Sequence, residues 1–520
     1  MIGPLTAAMA QLCDNAASNL SGTGAETVAA LRRRLDEPLR LAVAGRVKAG
    51  KSTLVNALVG RRVARTAQTE CTRVVTQFRY APDERYEVVA RSGATTVHRL
   101  PADGLPEAFP LPPEDISRVD LWLSSEPLRT CTVIDTPGLS STNTHVSART
   151  GALLGVGLDQ DSRQAVRAAE AVLFVLTHDV RTDERQVLDS FRALCGAALS
   201  GDAGSRDAGR DDALIGPANA LAVLTKADLL AETAGRGMSD PWQAARDLAA
   251  RCADSLGDTV ATVVPVAGLL AESVRAGRLG EADAAALRRL AAVEPSTLRL
   301  LLLSADRFHA ADAPVDGPTR RRLVARLGLN GLRLALAAVA AGRTSSAQLL
   351  AELGEASGFA AVAAGVDAVF RRRADAIKAS AALAVLRSLA RSAGLETDEA
   401  EWLRDELELV SLDPAMHTLE ELDAAADVLA GRVHLPDELA AEVARFAART
   451  GPADKLGRPD TPTPELAHAA LAGAQRWRGV ANGMPPPEAR IASIMHRAHH
   501  LLWEQLASRP GTVTSTKTGS

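Results

Sequence analysis

The stretch from Leu41 to Leu58, LAVAGRVKAGKSTLVNAL, constrains this chain more than any other. A short apolar run leads into a loop that opens at Gly45 and closes on Gly50-Lys51-Ser52, after which apolar residues take helical spacing. Strand, loop and helix in that order are the context a G-x-x-x-x-G-K-S/T phosphate loop requires. Gly45 and Gly50 let the backbone curl so that its N–H groups, with Val47, Lys48, Ala49 and Thr53 completing the cradle, face a chain of phosphates. Lys51 reaches the outer phosphates, and Ser52 offers its hydroxyl to Mg²⁺. The positive end of the following helix points at the same anion. A glycine turn without a ligand is the plain alternative, and the placement between strand and helix weighs against it.

At 520 residues the chain is too long for one ordinary core, so two or more structural units are expected. Aromatic residues make up only 3%, and alanine and leucine carry most of the apolar content, which favours long helices. A net charge of −4 argues against a nucleic-acid partner, because neutralising phosphates needs a concentrated basic face. Only six lysines occur, and three of them (Lys48, Lys51, Lys226) lie inside candidate nucleotide motifs. The five cysteines (Cys13, Cys71, Cys131, Cys195, Cys252) are spread out with no C-x-x-C, which suits a reducing compartment and no structural zinc. The N-terminal residues lack the pattern of a signal peptide, and no run of 18 apolar residues occurs, so a peripheral membrane contact is the only kind the sequence predicts.

Taken in order, residues 5–19 and 25–36 have helical spacing. Short β-type runs then alternate with helical ones at 38–44, 73–80, 86–91, 119–124, 130–135, 171–177, 220–225 and 261–266. That alternation predicts a mostly parallel sheet covered by helices. Beyond about residue 275 only helical patterns continue, to residue 508. The longest, Ser357 to Gly394, carries Phe359, Val362, Val366, Phe370, Ala374, Ile377, Ala381 and Val385 along one stripe. Read as one helix, it would span about 54 Å at 1.5 Å per residue. Further helices are expected at 397–412, 415–430, 437–450, 463–478 and 487–508, and residues 509–520 read as a disordered tail.

Three more motifs identify the nucleotide. The run 130–135 ends in Asp135-Thr136-Pro137-Gly138, a carboxylate for the surroundings of Mg²⁺ followed by a glycine N–H for the γ-phosphate. The run 220–225 ends in Thr225-Lys226-Ala227-Asp228, whose Asp accepts from the two donors on a guanine edge while the Lys stem covers the ring. Adenine lacks that donor pair. Val266-Ala267-Gly268 follows the last β-run and is placed to touch guanine O6 through backbone N–H groups. Each motif closes a strand where doubly wound folds bind ligands, so GTP/GDP binding with hydrolysis is the expected chemistry. Thr69, Thr72 and Thr76 are candidates for the threonine that covers γ-phosphate and Mg²⁺; Thr72, just before a β-run, is preferred. Ras-type enzymes carry a water-positioning glutamine where this chain has Leu139.

These segments, with Glu70-Cys71-Thr72-Arg73-Val74-Val75-Thr76, Val264 to Leu270, Leu302 to Phe308 and Ser357-Gly358-Phe359, make the chain resemble the bacterial dynamin-like proteins, most of all the isoniazid-inducible IniC type of actinobacteria. The likeness covers most of residues 35–480. It implies an α/β plus all-α chain: a P-loop GTPase domain of dynamin type with a doubly wound sheet, followed by an extended helical neck and trunk bundle. The implied parts are N-terminal neck helices at 1–36, the GTPase domain at 37–275, neck helices at 276–355, a trunk at 356–480 and a returning C-terminal helix at 481–508. It also implies catalytic roles for Lys51, Thr72 and Gly138, and Mg²⁺ ligation by Ser52, Thr72 and Asp135. The chain is then expected to remodel the cytoplasmic membrane from its inner face, binding lipid peripherally and associating with itself or a sister protein. A nucleotide-gated scaffold or regulatory GTPase without lipid action is the alternative. Eukaryotic dynamins carry glutamine and serine where this chain has Val47 and Lys48.

Three other groups stand out. His496, His499 and His500 share a helical face, a spacing open to a metal, although Met495, Leu501 and Leu502 beside them point to packing. Gly328, Gly331, Gly342, Gly354 and Gly358 interrupt helical patterns and are candidate hinges or caps. Leu395 and Trp402, at the turn after the long helical run, are the candidate membrane tip, in a stretch (394–430) with 12 acidic residues and one arginine.

Overall fold

The computed structural model describes residues 3–46, 48–64, 74–101, 104–106, 108–136, 168–180, 185, 188, 219–233, 241–256, 259–392, 394–412, 414, 416–429, 433–449 and 451–508. The chain divides into two compact units, residues 36–381 and residues 1–35 together with 382–520.

In the first unit a nine-stranded sheet is built from β1 (Leu39–Gly45), β2 (Thr76–Tyr80), β3 (Arg85–Ala90), β4 (Thr95–Arg99), β5 (Ile116–Leu123), β6 (Cys131–Asp135), β7 (Ala171–Leu176), β8 (Ala220–Leu224) and β9 (Val263–Pro265). Their order is β4-β3-β5-β2-β6-β1-β7-β8-β9. The pairings from β6 through β1, β7 and β8 to β9 are parallel, as is β2 with β5, whereas β2–β6, β3–β5 and β3–β4 are antiparallel. The central strands are continuous apolar runs because both faces are covered. Alternate side chains enter opposite layers: Leu41 and Val43 join one core with Leu173, Val175, Leu221 and Val223, while Ala42 and Ala44 join the other with Phe174, Leu176, Ala222 and Leu224. β4 escaped the sequence reading. It is an edge strand whose Thr95, Thr96 and Val97 are all exposed, so no apolar alternation marks it.

Before the sheet lie α1 (Pro4–Asn19) and α2 (Gly22–Asp36), as expected. The first unit continues with α3 (Lys51–Val59), α4 (Ala227–Thr233), α5 (Pro241–Leu256), α6 (Gly268–Arg275), α7 (Glu281–Ala291), α8 (Pro295–Leu301), α9 (Ala305–Ala310), α10 (Gly317–Ala340), α11 (Ser346–Ala356) and α12 (Phe359–Val366). α5 covers one face of the sheet through Leu248, Ala249, Cys252 and Leu256. A separate core joins α6 to α11 through Leu270, Leu287, Leu290, Phe308, Leu323, Leu332 and Leu353. By length and composition α10 is the one helix among the described residues that could cross a membrane, yet Leu323, Leu327, Leu332 and Ala335 are buried in that core.

The single long helix expected from Ser357 to Gly394 is not formed. α11 ends at Ala356, and Gly358 takes φ 74 where a Cβ would meet Pro265 O at 2.9 Å and the Trp242 ring at the same distance. After α12 the chain passes through a π-helical turn, Asp367–Arg371, before α13 (Ala374–Arg391) resumes. The apolar stripe has a local cause: Val362, Val366, Phe370 and Ile377 pack into the sheet core with Val55 and Leu221. Its spacing records a helix lying on the sheet.

The second unit continues with α14 (Thr397–Leu412), α15 (His417–Leu429), α16 (Asp437–Ala448), α17 (Pro452–Lys455), α18 (Thr463–Ala481) and α19 (Pro486–Ala507). Val443, Phe446, Leu466, Trp477, Ile491 and Met495 form its main core. At Gly473 a Cβ would lie 2.2 Å from the His499 ring, so the missing side chain is what lets α18 and α19 close on one another. The N-terminal helices belong here: Glu399 Oε1 accepts from both the N–H and the hydroxyl of Ser21 at 2.8 Å, and Leu395 fills the space beside Gly24.

Candidate nucleotide site

The phosphate-loop segment closes the carboxyl end of β1, between β6 and β7. At Gly45 (φ 152) a Cβ would stand 2.6 Å from Val175 O, so only glycine lets the loop leave the strand against β7. Lys48 is left-handed, with φ 63, as is Lys226, with φ 57; they are the only non-glycine residues of this kind among those described. Such a conformation costs an L-residue on the order of 1 kcal/mol and persists only where its surroundings enforce it. Gly50 caps α3, and Leu54 N–H donates to Gly50 O at 2.9 Å.

Lys51 is buried, its Nζ donating to Gly45 O and Arg46 O at 3.0 Å each, so its ammonium is anchored on the loop it belongs to. Burial lowers its pKa, and the charge of Asp135 acts against that. Ser52 Oγ donates to Asp135 Oδ2 at 3.3 Å. Asp135 Oδ1 is buried and accepts no hydrogen bond among the described residues. Burial pushes the Asp135 carboxyl up to about 6 against the opposing pull of Lys51 and Ser52. A hydroxyl beside a buried carboxylate with a spare acceptor is the donor set a hard divalent cation takes. Thr136, which the sequence reading passed over, ties β6 to β1 through Oγ1 and Val43 O at 2.9 Å.

The base-side motifs meet the loop from the neighbouring strands. The buried Thr225 hydroxyl lies 2.6 Å from Ala49 O and 3.0 Å from Leu176 O, sharing its proton between the phosphate loop and β7. Ala227 N–H donates to Val266 O at 3.2 Å, joining the Lys226 turn to the loop after β9. Ala267 N–H donates to Ser357 O at 2.9 Å, and Gly268, at the head of α6, abuts the Thr53 methyl. Lys226 is exposed and Asp228 half-buried. Asp228 O accepts from Asn330 Nδ2 at 2.7 Å, a contact across 102 residues. Nothing local marks Asn330 except that it is a neutral polar residue in the apolar run Leu327 to Ala341.

The structure therefore gathers Gly45, Lys48, Ala49, Gly50, Lys51, Ser52, Thr53, Asp135, Thr225, Lys226, Asp228, Val266, Ala267 and Gly268 at one end of the parallel strands. Val47, Thr69, Thr72, Gly138 and Leu139 lie outside the described residues. In the helical unit Leu395 and Trp402 are both half-buried, whereas Leu409 on the same α14 is 61% exposed. The three histidines go to separate protein partners. His499 Nδ1 lies 2.8 Å from Met495 O and Nε2 2.9 Å from Glu442, His496 Nδ1 meets Ala474 O, and His500 pairs with Glu504. Burial raises the Glu442 carboxyl, but hydrogen bonds from His499 and Trp477 and the charges of His499 and Arg476 outweigh it and bring it down to about 2.

Among protein families, the model of the dynamin family matches residues 41–191. Among curated proteins, the chain is similar to the isoniazid-induced protein IniC of Mycobacterium tuberculosis, in strains CDC 1551 / Oshkosh and ATCC 25618 / H37Rv. In each, 34% of 456 residues are identical, covering 86% of this chain and 85% of the relative. Two solved structures, described as an oligomerised bacterial dynamin pair that provides a mechanism for the long-range sensing and tethering of membranes, cover 96% of this chain and 90% of their own. They share 11% identity with it, at TM-scores of 0.32 and 0.34.

Proposed function

The chain belongs to the bacterial dynamin-like GTPases of the IniC type, and from that premise we propose that it uses a Mg²⁺-dependent cycle of GTP binding and hydrolysis to bind and remodel the cytoplasmic membrane. The observation that carries the catalytic half is the Lys51–Ser52–Asp135 cluster with its unpartnered Asp135 Oδ1. Ser52, Asp135 and Thr72 would hold Mg²⁺, which when bound neutralises charge on the β- and γ-phosphates. The loop N–H groups and Lys51 bind the phosphates, Gly138 N–H reaches the γ-phosphate, and Lys226 and Asp228 hold the guanine. An ionised Asp135 suits this task, and a cation beside it would favour the charged form against burial.

On the membrane side, the chain acts peripherally on the inner face, paired with a second copy or a sister protein, and the helical unit meets the lipid. Residues 1–36 and 481–508 then serve the neck and 276–355 link it to the GTPase domain of 37–275; of the expected trunk 356–480, residues 359–377 pack on the sheet, which leaves the part from 382 on to supply the trunk. The grouping of 1–35 with 382–520 in one unit supports the joint use of N- and C-terminal helices. The second reading, a nucleotide-gated scaffold without lipid action, is favoured by the acidity of residues 394–430.

Flotation with phosphatidylglycerol-containing liposomes separates the two. The full chain is expected to float with the vesicles in the presence of GTP, and Lys51→Ala, which removes the phosphate ligand, to lose the nucleotide dependence. A chain that stays at the bottom of the gradient in every nucleotide state is a scaffold.

A further inference from the structure

The turn that presents Lys226 and Asp228 is strained, since Lys226 is left-handed without being glycine. Four bonds hold it. Thr225 grips Ala49 O and Leu176 O, Ala227 N–H donates to Val266 O, Leu229 N–H closes the turn on Lys226 O at 3.0 Å, and Asn330 Nδ2 donates to Asp228 O at 2.7 Å. The first three arise inside the nucleotide fold. The fourth comes from α10, two residues past the kink at Gly328, where φ 66 and ψ 178 break the helix.

The orientation of the Asn330 amide is set from the other side. Arg333 Nη1 donates to Asn330 Oδ1 at 2.5 Å, so the amide NH₂ must face Asp228 O. Arg333 is itself anchored through Nη2 on Leu302 O at 2.7 Å. A chain of hydrogen bonds thus runs from the segment between α8 and α9, through α10, to the backbone of Asp228.

We propose that Asn330 is a positioning residue for guanine recognition. By holding the Asp228 carbonyl it stops the strained Lys226 turn from relaxing, and so keeps the Asp228 carboxylate on the guanine edge. This rests on the reading of Asp228 as the guanine-binding residue. It also makes base binding depend on the seat of α10, so that nucleotide and α10 stabilise each other's place reciprocally. The loop after β9 has a parallel tie, since Ala267 N–H is held by Ser357 O.

The test measures affinities for GDP and for inosine diphosphate, which lacks the 2-amino group that Asp228 accepts from, on the full chain carrying Asn330→Ala, Asn330→Asp or Asn330→Gln. Asn330→Asp keeps the shape and the Arg333 partner but replaces the donor with an acceptor. The Ala and Asp variants are expected to weaken GDP about tenfold and inosine diphosphate only about twofold, compressing the discrimination between them. KM for GTP should rise by the same factor as the GDP dissociation constant with kcat down by less than about twofold, and the Gln variant, which retains a donor, should recover part of the loss. Unchanged GDP affinity, or an equal loss for both nucleotides, overturns the proposal. So does loss of the fold in both the Ala and Asp variants, since Asn330 would then be structural. Asp228→Asn, run alongside, should move preference toward xanthosine diphosphate. If it does not, the reading of Asp228 has failed; if it does while the Asn330 variants bind like the parent, only this inference has failed.

Discussion

Asp135 bears an electrostatic cost that the nucleotide-free protein cannot relieve. Its carboxyl is pushed up to about 6 from an ordinary 3.8, by burial more than Lys51 and Ser52 can offset. Between those values the unfolded chain gives up its proton while the folded one keeps it. Stability therefore falls as pH rises from about 4 to about 6, and the penalty is constant above that. Asp135→Asn should accordingly stabilise the nucleotide-free protein by about 1–2 kcal/mol at pH 7, with the gain shrinking toward pH 4. GTP hydrolysis should be lost in the same variant. Thermal melts across that pH range check it, and a destabilised Asn variant at pH 7 would show that the carboxylate is instead needed for the fold. In the sequence Asp135 was marked by its Asp-Thr-Pro-Gly motif at the end of an apolar strand, while its burial and its spare acceptor are seen only in the structure.

Elements show where local pattern and tertiary structure part company. The phosphate loop, Asp135 and the Lys226 turn were readable because each is a short segment whose own chemistry fixes its shape between a strand and a helix. β4 was not, since an edge strand exposed on both faces needs no apolar period. The stripe from Phe359 to Val385 was read as one long helix, but spacing alone does not say what covers it: Val362, Val366, Phe370 and Ile377 pack into the sheet core, and a π-helical turn at Asp367–Arg371 interrupts the run. The contacts of Asn330 with Asp228 and of Ser357 with Ala267 were invisible for a different reason, the partners being far apart in sequence. Close helix packing has the same character at Gly473, where sequence shows only a glycine. Gly473→Ala would place a methyl 2.2 Å from the His499 ring, and overpacking of that kind costs about 1–3 kcal/mol. It would also disturb the His499–Glu442 pair that helps hold the Glu442 carboxyl down. The expected result is a lower denaturation midpoint with the GTPase rate per folded molecule unchanged.

At the scale of the whole molecule, the turn between α1 and α2 and the turn between α13 and α14 meet within the helical unit, joined by the Ser21–Glu399 bonds and by Leu395 against Gly24. If lipid is met there, Leu395→Asp with Trp402→Asp should abolish liposome flotation and leave hydrolysis in solution intact. Because Leu395 is half-buried, Leu409→Asp at the exposed position of α14 is the companion variant, and persistent flotation of both would move the contact elsewhere. The composition of this unit, residues 1–35 with 382–520, has a consequence for synthesis. α1 and α2 leave the ribosome before the GTPase unit, while their packing partners are translated after it. Met9, Leu12, Cys13 and Ala16, buried in the finished protein, must wait through some 350 codons for their cover, which at 5–20 residues per second is about 20–70 s. Throughout that interval the nascent chain displays an amphipathic helical pair without the later helices of its unit to cover it, the kind of surface that chaperones hold and proteases find.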